Sequence, residues 1–470
     1  MQLFEDIAGV VGAAQLMRGE DAAPWARDWT GAYHGRPLAV VRPGSTEEVS
    51  RVLALAHATS TPVVPASGRT GLTGATHAEG ALVLSLDRMS RIRAIKPGPR
   101  VAVVEAGVVL STLHEAAESH GLLFPLTFGA KGSAMIGGAL STNAGGSNVL
   151  RYGSTRDLCL GLEVVLADGR VLDLMSELHK DNAGYALRHL FIGAEGTLGV
   201  ITAAALKLVP RPRAYATAMV AVPSVGAALD LLARLREATG GAVEAFEYMP
   251  RMFIEGHVAK MRGAREPFDR PYEHNIMVEV GATAPRDADP LPDGTIPVVT
   301  RLEDTLAALM EQGRILDATV ARSEGQRREM WARRESAAEI THDRHPFVDT
   351  DVALPLDRVE EFLALARRRL HEIDPGAEDF IVAHLGDGNV HYSAYPTRDD
   401  PDHSEAIRSA VDAAAVSLGG SFSAEHGIGL MKLPSMRVHK DPVALEVMRG
   451  IKAALDPKGI LNPGKVVPTS

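Results

Sequence analysis

Between Leu38 and about Pro212, short β-branched apolar runs (LAVV, PVVP, ALVLSL, VAVVEAG and GLEVVLADG) alternate with helical stretches and glycine-rich turns. That punctuation predicts an α+β region. In STEE, Ser45 and Glu48 form a capping box that starts the first helix, because the two side chains satisfy orphan amides of its first turn. Pro210 and Pro212 in VPRPRAY break regular structure and mark a boundary. Beyond it come TAMVAVP, a helix over 227–237, GAVEAFEYM, NIMVEVGA, a helix over 302–312 and RILDATVA. Strand, helix, strand, strand, helix, strand is the ferredoxin-like order, an antiparallel sheet covered by helices. The predicted division is a helical segment 1–34, a first domain 35–212, a second domain 213–455 and a tail 456–470.

Composition narrows the function classes. With 470 residues, 46% of them hydrophobic, the chain is long enough for two or three buried cores. The net charge is -10 and both signs are mixed along the length, which excludes the basic face that nucleic acid requires. One cysteine, Cys159, excludes an internal disulfide framework and a Cys-based zinc or iron–sulfur site. The apolar stretch Ile7 to Met17 follows Glu5 and Asp6 with no Lys or Arg before it, the wrong flank for a signal peptide. No run approaches the roughly 18 apolar residues of a membrane span. A cytoplasmic protein is expected.

Three glycine loops carry the first chemical signal. PASGRTGLTGAT (65–76) follows a strand and sets Gly68, Gly71 and Gly74 among small hydroxylated residues. Its amides could converge on phosphate oxygens, although glycine also serves any tight connection. GAKGSAMIGGALSTNAGG (129–146) holds too many glycines for a long helix or strand, so a large bound cofactor is expected to fix it. FIGAEGTLGVIT (191–202) is the third loop. Three in one domain point to a shared dinucleotide, although no Gly-x-Gly-x-x-Gly follows the first strand as in a Rossmann fold.

The second signal is a histidine hairpin. FIVAHLGDGNVHYSAY (380–395) reads as two strands around Asp387–Gly388, a type I′ turn dipeptide. With that turn, Gly386 pairs with Asn389, Leu385 with Val390 and His384 with His391, and both imidazoles reach one divalent metal. Satisfied core or surface imidazoles are the other reading. Glu425 in SAEHGIG is the best oxygen ligand and His426 the best general base. Adjacent side chains on a strand diverge, so both serve one site only where the backbone bends, which Gly427 and Gly429 permit. In MWARRES, Arg333 and Arg334 lie beside Trp331 on a helix, where an arginine fork would suit a carboxylate. Arg327 and Arg328 recur on that helix, as on any solvated charged face.

The motifs SGRTG, GAKGSAMIGG, STNAGG, RYGSTRD, GAEGTLGVIT, HLGDGNVH, EHGIG and ILNPGKV occur in this order between about Arg42 and Val466. In this the chain resembles the FAD-linked oxidoreductases of the vanillyl-alcohol oxidase and p-cresol methylhydroxylase type, in particular the branch of D-2-hydroxyglutarate dehydrogenase, D-lactate dehydrogenase and the glycolate oxidase D subunit. The resemblance implies an α+β FAD-binding domain over 35–212, a ferredoxin-like substrate and metal (cap) domain over 213–455, and a tail that returns to the flavin. It implies that FAD is held by Pro65, Ser67, Gly68, Arg69, Thr70, Gly71 and Leu72, by Ser133, Gly137, Gly138, Thr142, Asn143 and Gly146, and by Gly196, Gly199, Ile201 and Asn462. It assigns His384, His391 and Glu425 to zinc or a similar divalent ion, His426 to proton removal, and Arg334 with the two hairpin histidines to substrate.

Residues 67–71 contain no His or Cys, His77 lies beyond them and Cys159 follows RYGSTRD, so the FAD is expected to be non-covalent. The implied reaction oxidises a D-2-hydroxy acid to the 2-oxo acid, with hydride transfer to flavin N5. The alternative is a flavin-dependent transferase resembling alkylglycerone-phosphate synthase. Where D-2-hydroxyglutarate enzymes have Thr, Lys and Asn, this chain has Ala338, Asp349–Thr350 and Ser393. Three polar contacts to a distal carboxylate are lost, so D-lactate and D-malate stand beside D-2-hydroxyglutarate. The implied partners are this small acid and an electron acceptor, either electron-transfer flavoprotein, quinone or cytochrome; a homodimer is admitted.

Overall fold

The computed structural model describes residues 2–468. The chain divides into two compact units, the first running through Gly145 and taking in Gly153–Pro210 and the chain from Glu425 on, the second made of Gly146–Tyr152 and Arg211–Ala424. Residues 425–455, expected in the second domain, therefore group with the first unit. Hydrogen bonds explain the regrouping: Glu195 accepts the amides of Ile428 and Gly429, and Thr73 O accepts those of Leu430 and Met431. Segment Gly146–Tyr152 joins the second unit because Arg151 and Tyr152 both donate to the buried Glu244 carboxylate at 2.7 Å.

The first unit contains two main sheets. In one, Ala39–Val41 and Val63–Ala66 lie parallel on either side of Leu82–Ser85, and Leu16–Met17 adds an antiparallel edge. The other is an antiparallel sheet in the order Ile92–Lys96, Val101–Glu105, Val200–Lys207, Cys159–Val165, Val171–Leu174. Helix Thr46–Ala58 packs Val49, Val52 and Leu53 into the core between strands. Ser45 caps it by accepting from Glu48 N at 3.2 Å, while Glu48 reaches back one residue further than expected, to the Gly44 amide at 2.7 Å.

The second unit is one antiparallel seven-stranded sheet. Its first half runs Ala214–Val222, helix Val225–Thr239, Val243–Pro250, His274–Ala282, helix Pro297–Glu311, Asp317–Val320. These strands lie in the spatial order fourth, first, third, second, the ferredoxin-like arrangement. Val348–Ala353, helix Val359–Ile373, Glu378–His384, Asn389–Tyr395 and helix Pro401–Ser417 repeat the scheme, with strands in the order second, third, first. An isolated bridge from Ala353 to Ser421 stands where the fourth strand of this half would add. The halves join through their second strands, with Glu247 paired to His384 and Tyr248 to Ala383.

The four long helices bury Val225, Leu231, Leu302, Phe362 and Val411 against one face of this sheet. The opposite face carries Met219, Met249, Met277, Phe380 and Val382 under helices Arg251–Lys260 and Glu324–Glu335. With both faces covered, the strands read as continuous apolar runs, not as the alternation of a half-exposed sheet.

Candidate active site

Successive strand residues face opposite sides, so Thr217, Glu247, Glu279, His384, His391 and Asp351 fall on the same face as the methionines. Register then lines them up: Thr217 opposes Glu279, Glu247 opposes His384 and Asp351 opposes His391. Met219, Met249, Met277, Phe380 and Val382 pack on the same face.

The hairpin register differs from the sequence expectation. His384 pairs with Asn389 and Val382 with His391, so the connection is four residues, Leu385 to Gly388, instead of the dipeptide Asp387–Gly388. Asp387 spends its side chain on an Asx turn, accepting the Asn389 amide at 3.2 Å, and Gly388 takes φ +83° against Leu354 O. The slip is an even number of residues, so the two imidazoles keep one face. They are diagonal neighbours, with ring centroids 5.4 Å apart.

Helix Glu324–Glu335 lays Arg327, Trp331 and Arg334, spaced by four and three, onto this row. Arg327 forms a bidentate pair with Glu279, both contacts at 2.7 Å, and Trp331 Nε1 donates to the same carboxylate at 2.9 Å. Arg334 Nε donates to Glu247 Oε2 at 2.7 Å, and His384 Nδ1 lies 2.8 Å from that same oxygen. Burial alone would raise the Glu247 carboxyl; His384 and Arg334 hold it down to about 2. Arg333 turns away and donates to Arg265 O at 3.0 Å. Glu247 has no motif signal in the sequence, and only strand pairing reveals it.

Asp351 is the other residue that sequence reading missed. It is 1% exposed, accepts from Asn389 Nδ2 at 2.8 Å and from the Ala424 amide at 3.1 Å, and lies opposite His391. The D-x-x-x-P spacing to Pro355 was the available signal. Ala424 is followed directly by Glu425 and His426, which open the last segment of the first unit. Gly427 at φ +80° and Gly429 at φ +52° supply the bend that this dipeptide was expected to need. A Cβ on Gly427 would meet Glu195 Oε1 at 2.6 Å, and Thr73 Oγ1 donates to His426 O at 3.4 Å.

In the first unit the glycine loops meet. A Cβ on Gly68 would lie 2.3 Å from Ser133 O, one on Gly138 3.4 Å from Ser67 Cβ, and one on Gly196 3.0 Å from Pro65 Cγ. Gly193 N donates to Leu140 O and Glu195 N to Ser141 O, tying the third loop to the second beside Thr142 and Asn143. The tail joins them: Leu461 bridges Val63, and Asn462 Nδ2 donates to Ala75 O at 3.1 Å and Glu195 O at 2.7 Å.

This arrangement fits a dinucleotide on two observations. No amide from Gly68 to Gly74, a stretch that includes Arg69, Thr70, Gly71 and Leu72, donates to an acceptor among the described residues. Asn462 Oδ1 is buried there with no partner. Gly199 directly precedes the strand Val200–Lys207, which holds Ile201, and a Gly199 Cβ would strike Val164 at 2.6 Å. Gly146 begins the segment that belongs to the second unit.

Comparisons with known proteins agree with this geometry. Residues 37–175 match the model of an FAD binding domain, and residues 211–466 that of the C-terminal domain of FAD linked oxidases. The chain is 35% identical over 455 residues to a D-2-hydroxyglutarate dehydrogenase of Xanthomonas citri pv. viticola, covering 96% of this chain and 93% of that one. It is 36% identical to the mitochondrial D-2-hydroxyglutarate dehydrogenase of Bos taurus, covering 96% and 80%. Among solved structures, p-cresol methylhydroxylase superposes with a TM-score of 0.74 at 15% identity, covering 99% of this chain and 96% of that one. 4-Ethylphenol oxidase from Gulosibacter chungangensis gives 0.73 at 20%, covering 100% and 97%. Alkyldihydroxyacetonephosphate synthase gives 0.72 at 17%, covering 98% and 84%. These three share the fold, with two α+β domains, an FAD-binding unit and an antiparallel sheet.

Two outcomes follow from the site geometry. Gly68→Ala forces a methyl group against Ser133 O, a strain of roughly 1–3 kcal/mol; flavin absorbance retained on purification falls by about tenfold or more. Glu247 is fully buried and its folded value lies below the ordinary 4.5. Its ionised form therefore adds roughly 3 kcal/mol above about pH 4.5, lost as pH falls through about 2. The urea-unfolding gap between wild type and Glu247→Gln narrows accordingly from neutral pH toward pH ~2.

Proposed function

Because the chain belongs to the FAD-linked oxidase family, with its FAD-binding and C-terminal domains both present, we propose that it oxidises a D-2-hydroxy acid to the 2-oxo acid. The observation that carries this reading is the polar row, where a cation for a carboxylate (Arg334) and imidazoles for a hydroxyl (His384, His391) share one face of the sheet with a cluster of buried apolar side chains. The relatives at 35 and 36% identity, named for D-2-hydroxyglutarate oxidation, support the substrate class.

Arg334 orients the 1-carboxylate through the guanidinium nitrogens that Glu247 leaves, and His426 takes the hydroxyl proton at an imidazole nitrogen. FAD, when bound on the glycine loops, supplies the hydride acceptor, and a divalent ion such as zinc supplies a Lewis acid for the 2-hydroxyl. His384, His391 and Glu425 are the proposed holders of that ion. Asp351 opposes His391 on neighbouring strands of the second unit, and this pairing of carboxylate with imidazole supports a hard or borderline cation. The apolar residues around the row exclude water, which strengthens each electrostatic contact. Electrons leave to an external flavoprotein, quinone or cytochrome.

Within the substrate class, Asp349 lies two residues from Asp351 on the same face and accepts from Ser393 Oγ at 2.9 Å. A carboxylate there repels a second carboxylate on the substrate, so acids without a distal charge, such as D-lactate, are favoured over D-2-hydroxyglutarate. The likeness to alkyldihydroxyacetonephosphate synthase is one of fold and adds no support for a transferase. We place the protein in the cytoplasm, a reading its single cysteine supports; no helix of the described residues is long and apolar enough to cross a membrane.

Anaerobic mixing with D-2-hydroxy acids tests the proposal: the yellow protein bleaches with the D- and not the L-enantiomers, and chelator slows bleaching. His426→Ala keeps its FAD and loses roughly 10²–10⁴ in the reduction rate. A wild-type flavin that no 2-hydroxy acid reduces would overturn the assignment.

A further inference from the structure

The chain runs from His426 straight into a turn that one buried side chain of the third glycine loop holds. The Glu195 carboxylate accepts the Ile428 amide at 2.6 Å through Oε1 and the Gly429 amide at 2.9 Å through Oε2. We propose that Glu195 is a positioning residue for proton removal: by clamping the turn after His426, it fixes that imidazole relative to the loops that hold the flavin. This rests on the reading of His426 as the base.

The turn is built to receive an anion. Successive amides beside left-handed residues form a concavity that takes negative charge, and here Gly427 at φ +80° and Gly429 at φ +52° flank Ile428. Each oxygen of the carboxylate takes one amide, which requires two acceptors on one planar group. There is little room to adjust, because a Cβ on Gly427 would lie 2.6 Å from Glu195 Oε1 and one on Gly429 would collide with Thr73 O. Burial pushes the Glu195 carboxyl up, while the two amides and the Lys432 ammonium oppose that push.

The backbone of Glu195 belongs to the cofactor loops. It takes φ +50°, donates its N–H to Ser141 O at 2.8 Å and accepts Asn462 Nδ2 on its carbonyl at 2.7 Å. The residue thus ties the second and third glycine loops and the tail to the base, so a shift of the turn becomes a shift of His426 against the flavin site. A misplacement of about 1 Å can cost roughly 10²-fold in rate. A merely structural Glu195 would hold the fold together equally well whichever side chain stood at position 426.

That difference sets the test. The limiting rate of anaerobic flavin reduction by D-lactate or D-2-hydroxyglutarate is measured for FAD-loaded wild type, Glu195→Gln, His426→Ala and the double variant. Gln keeps the size but has one acceptor oxygen, and its NH₂ faces one of the two amides. Glu195→Gln is expected to lower the rate about 10- to 100-fold, with substrate half-saturation and FAD content within about threefold of wild type. In the His426→Ala background the same change costs less than about threefold, because the group it positions is gone. Glu195→Asp, which keeps two acceptors on a shorter arm, takes its place in the cycle if the Gln variant loses FAD. Equal losses in both backgrounds, a Glu195→Gln rate within about threefold of wild type, or loss of FAD from both Glu195 variants would each defeat the inference. A His426→Ala protein that reduces its flavin as fast as wild type would instead remove the base reading, and this inference with it, but leave the dehydrogenase standing.

Discussion

An ionised carboxylate buried between two half-sheets sets the terms for the second unit. Glu247 is inaccessible to water, so its charge is tolerated only because Arg334 and His384 approach it from a helix and from the neighbouring strand. Each partner is thereby fixed: the helix Glu324–Glu335 is held over the sheet, and the imidazole of the hairpin is held in one orientation. The same contact joins the halves, since Glu247 and His384 oppose each other across the seam. Removing one member leaves a buried charge without compensation, which is why the fold and the site share one vulnerability.

The two halves place chemistry at equivalent positions and use it differently. Thr217 opposes Glu279 in the first half just as Asp351 opposes His391 in the second, each pair on the first and third strands of its half. In the first half the carboxylate is closed by the protein itself, through the Arg327 fork, Trp331 Nε1 and Thr217 Oγ1. The second half carries an imidazole, His391, where the first carries a carboxylate, Glu279. The first half closes its polar pair as an ion-pair network, while the second sets Asp351 opposite His391.

The first unit solves a different problem, bringing three loops close enough to share a long cofactor. Gly68 and Gly196 are the positions where side chains would prevent this, one pressed on Ser133 O and the other, at φ +73°, on Pro65. Asn462 reaches the same place from the far end of the chain, its own backbone at φ 39°. Glu195 ties the EHGIG segment to this unit by accepting two successive amides, although burial pushes its carboxyl upward.

Local chemistry settled much of this in the sequence itself. Ser45 announces a helix start, prolines 210 and 212 a boundary, three glycine loops a cofactor, and HLGDGNVH a two-histidine hairpin, because caps, turns and glycine requirements act over a few residues. What pairs across the sheet is not local. Asp-Gly looks like a two-residue turn, but the Asx turn of Asp387 and the contact of Gly388 with Leu354 O select a four-residue loop, which neighbouring strands alone could dictate. The sequence offers Arg327, Arg328, Arg333 and Arg334 on one helix; packing against the row turns Arg327 and Arg334 toward carboxylates and Arg333 elsewhere. Glu247 lies in a strand with nothing nearby in the chain to mark it and Asp351 is marked only by its spacing to Pro355; both come to bear only once register sets them opposite two histidines, because the energy of a buried charge depends on partners more than a hundred residues or some tens of residues away.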